Sequence, residues 1–390
     1  MLRTFQFRLQ PNAAQEATLQ RILADNCDTY NAALQERRDA WKLYRESITY
    51  RHQQDEITQL RKDPVFQWIA CDIQRDPLRR VDRAFKAFFR RCKSGEKPGF
   101  PRFRSSRRYD SFTMGNPSVV RDRSIRIPNV GDIRMRGGRI VSGIVKTVTV
   151  KRAGKRWNVS IVCDIGEAPE KCAVSAAVGI DVGLTSLATL SDGVVIENPR
   201  WTRKHAARIA AASRNLARKQ KRSKNRIRAR EVLRRAHQRA ADARKNYLHH
   251  VSKQLVATYD LIAHEDLKIV NMARSASGTI KEPGTNVAQK SGLNRSIMDA
   301  AWGQLIYQLT YKAESAGRYA IAVNPRGTSI RCSGCGEPVP KTLADRQHNC
   351  VCGVNLGRDH NAALNILSLG KRLVGTSAEC VMASSGKSCI

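Results

Sequence analysis

The order in which the hydrophobic period changes along the second half of the chain limits the fold more than any other feature. Ala177-Val178-Gly179-Ile180 is a short buried-strand run that ends at Asp181. Leu187 to Leu190 and Val194-Val195-Ile196 flank Ser191-Asp192-Gly193, which reads as a hairpin with an Asp-Gly turn. A basic helical stretch follows from about 200 to 256, then a strand through Leu261-Ile262-Ala263. A Gly/Ser/Lys loop around 275–292, a helix near 296–316 and a strand from Tyr319 to Val323 complete the series. A last helix opens in Arg358-Asp359-His360-Asn361.

That order, three strands and then alternating helices and strands, matches the topology of an RNase H-type α/β domain. The first half reads differently. Phe5, Phe7 and Leu9 alternate with polar residues, so the chain opens on a strand. Pro11-Asn12 breaks it and caps a long helix carrying Leu19, Ile22, Leu23, Tyr30 and Leu34, with Arg37-Arg38 on the exposed remainder. Leu78, Val81, Phe85, Phe88 and Phe89 form the stripe of a further helix, and the run from Lys93 to Gly99 leaves the helical segment. From about 104 to 165 the pattern is short β runs. Thr147 to Val150 and Trp157 to Ile161 flank Ala153-Gly154 as a hairpin. These strands are expected to pair with the opening strand, making a β-barrel interrupted by the helices.

Charge narrows the partners. The 390 residues hold 69 Lys and Arg against 34 Asp and Glu, a formal charge of +35. A compact state this basic repels itself unless a polyanion neutralises part of the charge, and nucleic acid is the commonest such partner. Seventeen basic residues between Arg203 and Lys245 meet only Glu231 and Asp242, a surface suited to phosphates rather than to base edges. Phe100-Pro101-Arg102-Phe103-Arg104 sets aromatics among arginines, which suits base stacking as well as core anchoring. No apolar run approaches the roughly 18 residues that span a bilayer, and the start lacks the layout of a signal peptide, so no membrane association is expected. Eleven cysteines is an odd number. Cys27, Cys71, Cys92, Cys163, Cys172, Cys380 and Cys389 lie far apart and read mostly as reduced packing residues, which fits the cytoplasm.

Two constellations carry chemistry. Asp181 and Glu265 end strands, and Asp359 opens the last helix. Clustered carboxylates call for a hard cation such as Mg²⁺, and two such ions about 4 Å apart activate water and stabilise the leaving oxygen of a phosphodiester. Among their neighbours, Asp266 reads as an exposed loop acid, His264 and His360 as polar packing rather than proton-transfer groups, and Arg331 as uninformative. The second constellation is Cys332-Ser333-Gly334-Cys335 with Cys350-Val351-Cys352-Gly353. Four thiolates make a closed, structural Zn²⁺ site. The single-residue gap between Cys350 and Cys352 leaves His348 as an alternative ligand. The chain is therefore expected to be a multidomain α+β protein. Its parts are a β-barrel (1–10 and 104–173), a helical insertion (11–103), an RNase H-like α/β nuclease domain (174–327 and 357–370), a zinc-finger insertion (328–356) and a patternless tail (371–390).

Gly179-Ile180-Asp181-Val182-Gly183, His264-Glu265-Asp266-Leu267, the cysteine pairs and Asp359 to Ile366 together resemble the TnpB proteins of bacterial insertion sequences. Tyr30-Asn31 with Leu34, and Gly99 to Phe103, are similar as well, so the likeness covers nearly the whole chain except the tail. The resemblance implies a RuvC-like, RNA-guided DNA endonuclease with a guide RNA and a target DNA as partners. It also implies a flanking DNA motif read by the protein. Asp181, Glu265 and Asp359 would be the catalytic ligands of two Mg²⁺ ions, and Cys332, Cys335, Cys350 and Cys352 would hold Zn²⁺. The alternatives are a compact type V CRISPR effector, distinguished by the source of its RNA, a guide-dependent DNA-binding repressor, which would have lost one of the acids, and a DNA transposase, which would join strands without a guide.

Overall fold

The computed structural model describes residues 1–115, 119–138, 140–279, 282–342 and 344–385, with side chains to 375 in the last helix. The chain separates into two compact units, Met1–Glu167 and Ala168–Ile390.

In the first unit, β1 (Leu2–Gln10) buries alternate residues. Asn12 caps α1 (Ala13–Tyr44): its side chain accepts from the Gln15 amide while Gln15 accepts from the Asn12 amide. Then come α2 (Tyr50–Leu60), α3 (Cys71–Lys93) and the strands β2 (Ser111–Met114), β3 (Ser124–Ile127), β4 (Gly131–Arg136), β5 (Ile144–Ala153) and β6 (Arg156–Asp164). The sheet order is β2-β5-β6-β1-β4-β3. The opening strand thus pairs with the later β block, antiparallel to both β6 and β4, with Phe5 opposite Ile161 and Phe7 opposite Val159. β2 and β3 are the outer strands, so the ladder does not close into a ring among the described residues. Leu19, Ile22 and Leu23 of α1 and Ile73 and Leu78 of α3 share one core with Phe5, Val148 and Ile161 of the sheet. Arg37 departs from expectation. Its side chain is only 8% exposed, it pairs with Asp82 at 3.6 Å, and its Nε donates to Gln53, because α2 and α3 cover that face of α1.

The second unit comprises β7 (Ala177–Val182), β8 (Ser186–Leu190), β9 (Val195–Glu197), α4 (Trp201–Lys204), α5 (Ala206–Ala217), α6 (Lys224–Thr258), β10 (Leu261–Glu265), α7 (Ile269–Met272), α8 (Val287–Ala300), α9 (Trp302–Ser315), β11 (Tyr319–Val323), β12 (Gln347–Asn349), β13 (Asn355–Gly357) and α10 (Arg358–Ser385). Its main sheet has the order β11-β10-β7-β8-β9. β10 runs parallel to β7 and β11, while β8 is antiparallel to β7 and β9. The basic stretch is divided into α4, α5 and α6: Arg222 turns left-handed at φ +69° and Ser223 caps α6. The helix near 296–316 is also divided, at Ala301 (φ +55°), where the Trp302 indole donates to the Gly183 carbonyl at 3.0 Å. α10 runs on to Ser385, through the stretch where the sequence shows no pattern.

Strand alternation sorts the two faces of this sheet. Val178, Ile180 and Ile262 pack with Leu248 and Leu255 of α6 and with Leu305 and Leu309 of α9. The intervening residues face α10, which lies against bare backbone. A Cβ on Gly179 would sit 2.0 Å from the Ala363 carbonyl oxygen, and one on Gly370 would sit 2.4 Å from the Ala263 Cβ. Neither obstruction is a flexible side-chain end. Gly179→Ala is therefore expected to destabilise the protein by about 1–3 kcal/mol or more through overpacking. Gly99→Ala, whose Cβ would meet nothing within 4 Å, is the matched control. Equal denaturant midpoints for the two variants would refute the tight crossing.

Cys27 and Cys163 are buried, Cys71 and Cys172 half-buried, and all are free thiols. Cys92 is exposed at the end of α3, so the packing expectation fails there. Cys389 and the side chain of Cys380 lie outside the described residues. No described helix is long and apolar enough to cross a membrane.

Candidate functional site

The face that meets α10 collects the three acids. Asp181 follows Gly179 by two on β7, and Glu265 follows Ala263 by two at the end of β10. The parallel register pairs Ile180 with His264, one step before both acids, so the two carboxylates leave neighbouring strands side by side. Asp359 lies in the first turn of α10, where the helix dipole favours a negative charge. β7 is also where strand direction changes within the sheet, with β8 antiparallel on one side and β10 parallel on the other. Carboxyl ends of strands at such a switch are where open α/β sheets bind ligands.

Burial, then the charges of Glu265 and Asp359, push the Asp181 carboxyl up to about 8, with Arg358 opposing. Burial also raises Glu265, against a hydrogen bond from the Thr328 hydroxyl to Oε1 at 2.5 Å. Partly buried carboxylates that repel one another in this way have the oxygen-donor chemistry that a hard cation prefers. No choice of one oxygen from each acid brings all three within 4.8 Å of one another.

Of the neighbouring groups, His264 is buried and His360 half-buried, whereas Asp266 and Arg331 are exposed. His264 is 5% exposed, points with Ile262 to the opposite face by strand alternation, and contacts the Glu265 carbonyl through Nδ1 at 3.0 Å. His360 Nε2 lies 3.1 Å from the Ser191 carbonyl. Asp266 is exposed and pairs with Lys268 at 2.6 Å. The Arg331 guanidinium donates to the Gly336 carbonyl at 3.2 Å.

The four cysteines converge. Their sulfurs all lie within 4.8 Å of one another, with Cys332 to Cys352 at 3.5 Å and Cys335 to Cys350 at 3.6 Å. Zn–S bonds of about 2.3 Å give a tetrahedron with edges of about 3.8 Å, so the cluster fits Zn²⁺ closely. The short second gap is accommodated by a tight turn: the Cys350 amide donates to the Val354 carbonyl and Gly353 takes φ +93°. His348 is fully buried beside Cys332, its Nδ1 paired with Lys341. Four sulfurs already supply a complete set without it.

Three residues escaped the sequence reading. Thr328, Asn361 and Asn365 form a polar network under α10. Asn365 Nδ2 donates to the carbonyls of Thr328 and Arg331, Asn361 Nδ2 donates to the Arg331 carbonyl, and Asn361 Oδ1 accepts from the Ser333 amide. Two asparagines four apart on one helix face were the available signal. In the first unit, Phe100 and Phe103 are 47% and 49% exposed, Phe100 edge-on to Phe85 and Phe88 and Phe103 under the Arg38 guanidinium.

Comparison with known proteins gives three family models. One described as "Probable transposase" matches residues 160–276, a "Cas12f1-like, TNB domain" matches 302–366, and a "Helix-turn-helix domain" matches 1–46, where the structure has β1 and the single helix α1. The chain is 33% identical to the Escherichia coli (strain K12) "Putative RNA-guided DNA endonuclease InsQ", over 95% of this chain and 92% of that one. It is 34% identical to a Streptomyces pristinaespiralis "Putative RNA-guided DNA endonuclease", over 94% and 89%. Among solved structures, a Cas12f1–sgRNA–target DNA complex shares the fold at a TM-score of 0.57 and 13% identity, covering 94% of this chain and 98% of the other.

Proposed function

The chain belongs to the TnpB family, and on that premise we propose that it is a transposon-encoded, RNA-guided DNA endonuclease that cuts at Asp181, Glu265 and Asp359. The observation that carries the reading is the placement of three mutually repelling acids at the carboxyl ends of β7 and β10 and the start of α10. In this reading 174–327 with 357–370 is a RuvC-like nuclease domain of RNase H type, supported by the 3-2-1-4-5 strand order read from β9 to β11. Residues 1–10 with 104–173 form the barrel-like wedge, 11–103 the recognition helices, 328–356 the zinc-finger insertion and 371–390 the tail.

Mg²⁺ bound at the trio, as two ions, would supply an activated water and neutralise charge on the leaving oxygen. The protein's own part is to hold three carboxylates from separate elements at one place and to exclude other ligands by burial. Cys332, Cys335, Cys350 and Cys352 would hold a structural Zn²⁺ that takes no part in the reaction, because four sulfurs leave no open position. Guide RNA and target DNA are the partners. Base pairing with the guide supplies sequence discrimination, so the protein needs chiefly a basic, shape-reading surface. Exposed Arg and Lys side chains along α5 and α6 provide one, broken at Asp242, where Glu231 holds Arg234 and Arg235 and where Arg244 pairs with Asp299. The chain would act in the cytoplasm, where both nucleic acids are reached.

Sequencing the RNA that co-purifies with the protein tests this. The expected result is one RNA that matches the adjacent genomic element and continues into a guide segment, and that directs Mg²⁺-dependent cutting of matching DNA. Bound RNA of random origin, or cutting that ignores the guide, would refute it.

A further inference from the structure

We propose that Thr328 is a positioning residue through which the loop leading into the cysteine cluster holds Glu265 and α10 in place, so that the zinc-type cluster and the acidic trio are one coupled assembly. The inference rests on the trio being the cation site argued above.

Thr328 is 3% exposed. Its hydroxyl lies 2.5 Å from Glu265 Oε1 and 3.0 Å from the Pro325 carbonyl. A hydroxyl has one proton to give, and the shorter contact to a charged oxygen takes it. Glu265 Oε1 is thereby occupied and its rotamer held, which leaves Oε2 to face a cation. The backbone of the same residue is fixed from the other side, since the Thr328 carbonyl accepts from Asn365 Nδ2 at 2.8 Å. Three residues on, the Arg331 carbonyl accepts from both Asn361 and Asn365, at 2.7 Å each, and the Ser333 amide donates to Asn361 at 2.9 Å. Cys332 lies between those two anchors and is 1% exposed. The loop from Thr328 to Ser333 therefore grips one acid directly and the helix bearing another, within two turns of Asp359, while its end is a member of the sulfur cluster.

The test uses the protein with its co-purified RNA and reads Mn²⁺ binding by electron paramagnetic resonance without DNA, so that no turnover is involved. Groups that orient metal ligands are commonly worth about 10- to 100-fold in affinity. Thr328→Val is expected to weaken Mn²⁺ binding by about that factor with zinc content unchanged, and Thr328→Ser to restore it to within about threefold. Glu265→Gln is the reference. If Glu265→Gln weakens binding and Thr328→Val does not, the role of Thr328 is overturned while the trio stands. If neither does, the trio itself fails. Should Thr328→Val lose zinc or fail to fold, Asn365→Leu decides the matter. It removes the far anchor and is expected to weaken Mn²⁺ binding in the same direction, and unchanged binding there overturns the coupling.

Discussion

Asp181→Ala is expected to reduce Mg²⁺-dependent cleavage of guide-matched DNA by far more than a hundredfold while RNA binding stays within about twofold of wild type. The magnitude follows from rank: groups that merely orient a metal ligand are worth up to about 100-fold, and a ligand itself must exceed them. RNA binding is spared because Asp181 lies on the α10 face of the sheet, away from the exposed basic side chains of α5 and α6. Wild-type cutting by the variant would reject the site. The same residue has a pH signature. Its carboxyl is pushed up to about 8 in the folded, metal-free protein, against 3.8 ordinarily. The folded state then holds a proton that the unfolded chain has released, so Asp181 makes metal-free stability fall as pH rises from about 4 to about 8 and level off above. Cation binding must expel that proton and should strengthen over the same window. Melting curves from pH 6 to 9 should show a downward slope in wild type that Asp181→Asn lessens, and parallel slopes would contradict it.

Cys335→Ser should produce the other large effect. Structural zinc sites contribute about 10–16 kcal/mol of apparent binding free energy in small isolated modules, most of which appears as folding energy. The module around β12 and β13 has two three-residue strands and few apolar groups to hold it otherwise. Zinc content is expected to fall from about one ion per chain toward none. Limited proteolysis should then cut between β11 and α10 much faster than in wild type. Unchanged zinc stoichiometry would remove these cysteines from the assignment.

Much of this was legible from residue order because the signals are local. Phe5, Phe7 and Leu9 specify a half-buried strand, Pro11-Asn12 a helix start, and Asp181 the end of a buried run, each within a few neighbours. The three acids could be listed for the same reason. Breaks that depend on distant partners could not be read: Ala301 turns left-handed where the next residue's indole reaches Gly183, 119 positions away. Arg37 looked like a surface residue because Gln53 and Asp82, which enclose it, come from later helices. Thr328 is an ordinary loop threonine until Glu265, 63 positions earlier, is folded beside it.

The sheet's bare face at Gly179 has a consequence for how the molecule comes into being. The carboxylate on α10 is translated 178 positions after the one on β7 (359 minus 181), and only the docking of α10 onto that glycine brings it in. On the site proposed above, a nascent chain still on the ribosome would have its cationic helices before it had all three acids. Products that stop short of Asp359 would remain capable of gripping nucleic acid and incapable of breaking it, competitors of the full-length chain rather than weaker copies of it.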